Sequence, residues 1–275
     1  MPSSGLEVVR IVNDPDSSLA DLRRAVEHDP SLTTNILRLA NSAYFGRAGE
    51  IGTLQDAVVR LGMRRILHLV IGSAVAPLAQ PPIRGYDMPA GSLLRHSVAT
   101  AVASEELAHR LNREPPDQCF TAGLLHDLGK ILLGTYLEID AAPIRALAYE
   151  QGVSFQDAEQ RVLGLNHAEV GALLLEQWNL PAPIVGAVRW HHEPDAAPDE
   201  QSFATDLVHV ANEIARMSGT ADGADGFNYM PSAGAISRLG MTERIVEQVV
   251  SSVLSHLNEL SDLFAQTAGV DRNGS

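Results

Sequence analysis

Apolar residues recur along most of this chain at intervals of three and four, and sustained alternation of β-branched residues is nearly absent. That pattern predicts an all-α protein. A first helical unit begins near Leu19. Asp29-Pro30 offers a cap and a first-turn proline ahead of the spaced residues Leu32, Ile36 and Leu39. Thr53, with Asp56 three residues on, is a variant of the capping box before Leu54, Ala57, Val58 and Leu61; Gly62 ends that helix and another opens at Met63. The apolar run from Ile66 to Ala79 is interrupted by His68 and is shorter than the roughly 20 residues a bilayer requires. It reads as a core helix.

Proline and glycine divide the chain. The stretch QPPIRGYDMPAG, residues 80 to 91, predicts a fold of an N-terminal helical lobe (1–80), a linker (81–91) and a second helical lobe (92–265), followed by a disordered tail (266–275). Inside the second lobe, SGTADGADGFNYMPSAGA (218–235) reads as a mobile loop before a last helix from Thr242 to about Ala265. No internal repeat is visible.

Several polar residues fall where apolar ones are expected. At helical spacing His96 shares a face with Ala99, Thr100, Ala103, Leu107 and Leu111, and so points inward, with Glu105 and His109 roughly opposite. His126 and Asp127 lie in CFTAGLLHDLGKILLGTYL, apolar around almost its whole circumference, which reads as one buried helix. An ionised Asp127 there needs a partner: Lys130 or an imidazolium on one account, a divalent metal shared with His126 on the other. His167 follows the capping pair Asn166 and Glu169, so the helix dipole favours its neutral, metal-ligating form. His191 and His192 close a helix stopped by Pro194. Taken singly, His96 reads more readily as a core histidine bonded to a carbonyl, and His167 as a surface residue near a cap, than as ligands. Together they make a nitrogen and oxygen ligand set suited to iron, manganese, zinc or nickel rather than calcium.

Composition narrows the function classes. A formal net charge of -14 over 275 residues argues against a nucleic-acid binder, because that role needs clustered Lys and Arg. Arg60, Arg64 and Arg65 are the place where a local basic patch could form. No membrane partner is expected either. Cys119 is the only cysteine, which excludes an internal disulfide and fits a reducing compartment. The N-terminus has no basic flank before an apolar core and does not read as a signal peptide, so a cytoplasmic location is expected. Nineteen arginines stand against one lysine, Lys130, which suggests a position where a guanidinium does not fit.

In order, RHSVATA, GLLHDLGK, LNHAEVGALLLEQWNLP, AVRWHHEP and LVHVANEIA resemble the successive metal-binding segments of HD-domain and HD-GYP phosphodiesterases. DPSLTTNILRLANSAYFG and IGTLQDAVVRLGMRRILHLVI resemble the N-terminal half of HDOD proteins, which the hydrolase branches lack. The resemblance implies an N-terminal lobe packed on an HD-like helical bundle. It places His96, His126, Asp127, His167, His191 and His192 at positions that bind one or more metals in active relatives, and Lys130 at that of a lysine assisting phosphate chemistry. There the metal would polarise a phosphoryl oxygen and lower the pKa of bound water. Two departures stand out. Where active relatives close the site with Asp in V-A-D, this chain reads Val210-Ala211-Asn212, for which Asp206 or His209 are the nearby substitutes. After HHE comes PDAAPDE, without a Gly-Tyr-Pro segment.

Three readings follow from the sequence. The first is a bacterial signal-transduction module with a degenerate metal centre, stand-alone or docked, binding a signalling protein or a small ligand such as a nucleotide. The alternative is a metal-dependent phosphohydrolase or phosphodiesterase acting on a nucleotide or another phosphate ester, with Lys130 catalytic. The third is a scaffold in which Asp127 pairs with Lys130 or an imidazolium. The oligomeric state is not legible.

Overall fold

The computed structural model describes residues 3–14, 16–27, 29–45, 51–112, 116–136, 141–220 and 231–267. Among them the chain is helical, and Ile83 and Met88 form an isolated bridge outside any strand. Helices α1 (Ser3–Asn13), α2 (Leu19–Glu27), α3 (Pro30–Ala40) and α4 (Leu54–Ala79) make the N-terminal part. The caps read from sequence are in place: Asp29 accepts from the Leu32 N–H and Thr53 from the Asp56 N–H. α4 bends by 107° where Gly62 takes φ 82°, a conformation open to glycine. No single helix among the described residues is long and apolar enough to cross a membrane. The sequence reading missed α1, which buries Val8, Val9 and Ile11.

The second part comprises α5 (Ser92–Arg110), α6 (Pro116–Leu125), α7 (Leu128–Ile131), α8 (Ala142–Gln151), α9 (Phe155–Leu163), α10 (His167–Gln177), α11 (Ala182–Trp190), α12 (Asp199–Ala215), α13 (Ala233–Leu239) and α14 (Glu243–Thr267). α5 is the hub, packed against α6, α12 and α14. It is buried around most of its circumference, which explains a correction. Glu105, expected opposite the inward face, is 4% exposed and accepts from Arg65 Nη2 at 2.6 Å and from the Tyr44 hydroxyl. Arg65 is thereby turned away from the expected basic patch; the Arg64 side chain lies outside the described residues.

The two parts share one hydrophobic core running from Val8 to Phe264. α14 packs on α3 and α4 as well as on α5, so the C-terminal helix bridges both. The segment expected to be a linker is itself packed: Ile83, Tyr86 and Met88 are buried and Gly91 N–H bonds the Gln80 carbonyl at 2.8 Å. Of the expected mobile loop, residues 221–230 lie outside the described residues, and its end begins α13. The expected tail from 268 onward also lies outside them.

Candidate metal centre

Four elements deliver the histidines. His96 comes from the second turn of α5. His126 and Asp127 occupy a turn between α6 and α7, where the sequence pattern had predicted uninterrupted helix; Asp127 has φ -100° and ψ 11°. Gly129 explains how this turn reaches its neighbour. A Cβ there would stand 1.9 Å from the His167 carbonyl oxygen, so only glycine lets α7 lie against the start of α10. His167 is the first residue of α10, behind the Asn166–Glu169 capping box. His191 caps α11, and His192 follows it.

Outer partners set the tautomers. His126 Nδ1 donates to the Gly123 carbonyl at 2.8 Å and His191 Nδ1 to the Val188 carbonyl at 2.7 Å. His167 Nδ1 donates to Glu159 Oε2 at 2.7 Å. The Thr220 hydroxyl gives its proton to the Ala215 carbonyl, so its oxygen accepts from His96 Nδ1 at 3.1 Å. Each ring therefore turns Nε2 inward, the arrangement that outer-shell acceptors impose on metal-ligating histidines.

The Nε2 atoms converge on Asp127. Oδ2 lies 3.2 Å from His126 Nε2 and 3.7 Å from His96 Nε2; Oδ1 lies 3.4 Å from His167 Nε2 and 3.7 Å from His191 Nε2. His167 Nε2 and His192 Nε2 are 2.9 Å apart. Asp127 thus belongs to two potential ligand groups, one with His96 and His126, the other with His167, His191 and His192. Two ligands each about 2.1 Å from one ion lie roughly 3.0 to 3.4 Å apart at right-angle or tetrahedral geometry; the His126 and His167 spacings to Asp127 fall in that range and those of His96 and His191, at 3.7 Å, are slightly wider. His126 Nε2 and Asp127 Oδ1 are buried and have no hydrogen-bond partner. Such atoms are costly in an apolar interior unless a cation or proton meets them. The residues therefore fit a transition metal ion.

Lys130 Nζ bonds Asp127 Oδ2 at 2.6 Å and lies 5.9 Å from the Tyr86 ring centre. Burial pushes the Asp127 carboxyl up, but the charges of His126 and Lys130 beside it outweigh burial and hold it well below the usual range. Burial also lowers His167, yet Glu159 and Asp127 prevail and raise it to about 9. In the metal-free protein the Glu159 and Asp127 carboxylates thus outweigh the helix dipole, which was expected to keep this ring neutral. His191 and His192 are held well below the usual value, by burial first and by neighbouring rings second.

All six residues expected to ligate metal are thus brought together. The two substitutes are not. Asp206 takes a bidentate pair from Arg238 at 2.7 and 2.8 Å, and His209 lies between the His191 carbonyl and the Ser232 N–H, both at 2.8 Å. These bonds commit both side chains elsewhere. Asn212 is 3% exposed on α12, and its Oδ1 has no hydrogen-bond partner. The sequence reading missed Glu159, which is fully buried and also accepts from the His167 N–H at 2.9 Å and from the Tyr86 hydroxyl at 2.6 Å. Its signal was an acid inside the apolar stripe of Phe155 and Ala158, behind the Ser154 cap.

Residues 1–194 match the HDOD domain family, and the chain belongs to it. It is 28% identical, over 236 residues, to an uncharacterized protein of Treponema pallidum (strain Nichols), of which it spans 44% of the length and which matches 84% of this chain. An HDOD domain protein of unknown function from Geobacter sulfurreducens superposes with a TM-score of 0.74 at 25% identity, over 97% of this chain and 92% of that one. A candidate phosphohydrolase from Shewanella amazonensis SB2B does so with a TM-score of 0.69 at 27% identity, over 98% and 94%. A candidate signal transduction protein from Marinobacter aquaeolei VT8, at 22% identity and a TM-score of 0.70 over 96% of this chain and 59% of that one, shares the fold.

Proposed function

We propose that this chain is a regulatory helical module of a signalling system, that its Asp127 centre holds a transition metal ion structurally, and that it acts by binding a signalling protein or small ligand rather than by turnover. One observation carries this reading: apart from the half-buried His192, the residues of the centre are almost inaccessible. His126 and His191 are 0% exposed, Asp127 and His167 1%, Lys130 2% and His96 6%. Structural metal sites are closed by protein ligands, whereas catalytic ones keep a position open to substrate. A bound ion of iron, manganese, zinc or nickel would supply positive charge to Asp127 and cross-link the turn after α6 to α10 and the end of α11. The chain's own residues do the rest. Gly123, Val188, Thr220 and Glu159 hold the rings in register, and Lys130 neutralises Asp127 Oδ2. The resemblance to the Marinobacter protein supports the signalling side of the reading.

A second reading has one observation in its favour. His192 is only half-buried, so the Oδ1 side is where a small phosphate ester could approach, as the name of the Shewanella relative suggests. Assaying manganese-, iron- and zinc-loaded protein against nucleotides and simple phosphoesters separates the two. We expect a metal-dependent gain in thermal stability and no turnover. Turnover that disappears in Asp127→Ala would establish the hydrolase instead.

A further inference from the structure

A cleft of about 580 Å³ opens between α1 and the end of α10, within the size range of small-ligand sites. It is separate from the histidine centre: α10 runs 11 residues from His167 to Gln177, so roughly 16 Å of helix lies between that centre and Trp178. The apolar lining of the cleft is Leu6, 38% exposed on α1, and Trp178, half-buried and packed on the core. Charge decides what such a cleft accepts. Two helix C-termini border it, with Asp14 directly after α1 and Asn179 directly after the cap of α10, and helix C-termini carry partial negative charge. Arg10 is the one cation among the lining residues, and Glu7 engages it twice: Nη2 bonds Oε1 at 2.6 Å and Nε bonds Oε2 at 3.1 Å. That pair is neutral as a whole. Asp14 Oδ1 accepts from the Asp16 N–H at 3.0 Å, a neutral donor, so the carboxylate keeps its charge. The cleft therefore has a negative field around an indole and a leucine, which repels a phosphate and draws a cation.

We propose that this cleft binds a small organic cation with an apolar body, of the quaternary-ammonium or aromatic-amine kind. The body lies against Leu6 and Trp178, and the charge is held by the indole, the best of the aromatic side chains for a cation, and by Asp14 with the two helix ends. The inference rests on the ligand-binding side of the proposed function and narrows it: the ligand of this cleft is not a nucleotide, and it joins α1 of the N-terminal part to the helix that carries His167.

The test titrates full-length protein with benzyltrimethylammonium, beside benzyl alcohol as its neutral counterpart and adenosine monophosphate as an anion. Binding is followed by calorimetry and by the indole N–H resonances of the two tryptophans, Trp178 and Trp190, assigned with Trp178→Phe. We expect saturable binding of the cation at a Kd of about 1 mM or below, with a shift of the Trp178 resonance alone. Trp178→Leu should weaken binding roughly 5–30-fold, as loss of a cation–indole contact does. Asp14→Asn should weaken it roughly 2–5-fold, by less at high salt. If Trp178→Leu does not fold, Asp14→Asn and the resonance shift still decide. Tighter binding of benzyl alcohol or the nucleotide than of the cation, a shift confined to Trp190, an affinity unchanged by both substitutions, or no binding of any of the three would each overturn this inference. The regulatory reading survives all four results, and falls instead to metal-dependent turnover of a phosphoester.

Discussion

The protein buries two carboxylates beside basic groups, and the two centres differ in how they are finished. Around Glu105 every requirement is met: Arg65 and the Tyr44 hydroxyl bond its two oxygens, and His109 Nε2 stands 3.7 Å away. Around Asp127 one oxygen is bonded by Lys130, the other has no hydrogen bond, and inward ring nitrogens surround both. Glu105 ties α5 to α4 and the segment after α3, which is a structural task. Asp127 leaves lone pairs converging on a small volume, which folding alone does not require. A satisfied buried carboxylate and an unfinished one look alike in sequence, and their hydrogen bonds tell them apart.

The largest expected effect is on the Asp127 side. Asp127→Ala leaves the Lys130 ammonium buried without its partner, which should cost about 3–5 kcal/mol in chemical denaturation. Glu105→Gln keeps an acceptor for Tyr44 and should cost about 1–3 kcal/mol. Equal losses would dissolve the contrast. Added metal sharpens it: at a free concentration about 100 times Kd, stability should rise by about 2.7 kcal/mol, a gain seen in Glu105→Gln by thermal melting but absent from Asp127→Ala.

The pH dependence should separate the centres by sign. The His167 ring is raised to about 9 from an ordinary 6.5, so its contribution to the metal-free protein is fully present below about 6.5 and is lost as pH rises through about 9. Burial pushes the Glu105 carboxyl up, but bonding to His109, the Arg65 charge and Tyr44 lower it below 4.5, so its contribution is present above that value and is lost as pH falls through the lowered one. Melting curves across pH should show His167→Gln flattening the alkaline limb alone and Glu105→Gln the acid limb alone. If either substitution flattens both limbs, the centres are not independent.

The smallest effect compares two tyrosines. Tyr44→Phe and Tyr86→Phe each remove a hydroxyl bonded to a buried carboxylate, at about 1 kcal/mol each. Calorimetric titration with zinc should find weaker binding only in Tyr86→Phe, because only Glu159 supports a ligand histidine. Weaker binding in Tyr44→Phe would show that the centres are coupled through α5.

Much of the helical content was legible because its signals are local. A cap such as Asp29 before Leu32, or the Asn166–Glu169 box, acts within one turn, and the Gly62 bend follows from that residue's own freedom. The inward His96 and the buried Asp127 were legible for the same reason. Glu105 was misplaced because a period of apolar residues cannot show that a second neighbour covers the opposite face of α5. The turn at His126-Asp127 was missed because its cause, the approach of Gly129 to the His167 carbonyl, lies in another helix.

By itself, then, the sequence determined the helices, their caps, the burial of an acid that needs a cation, and a family resemblance that the family match bears out. The tertiary structure alone decided which polar groups meet. It sent Asp206 to Arg238 and His209 to the His191 carbonyl, recruited Glu159 and Tyr86 behind His167, and turned Lys130 toward one oxygen of Asp127 and the histidines of α10 and α11 toward the other. The reason is physical. Helix formation is set by residues a turn apart, whereas a metal centre is set by ring nitrogens from α5, the α6–α7 turn, α10 and α11, whose separation depends on how those helices pack.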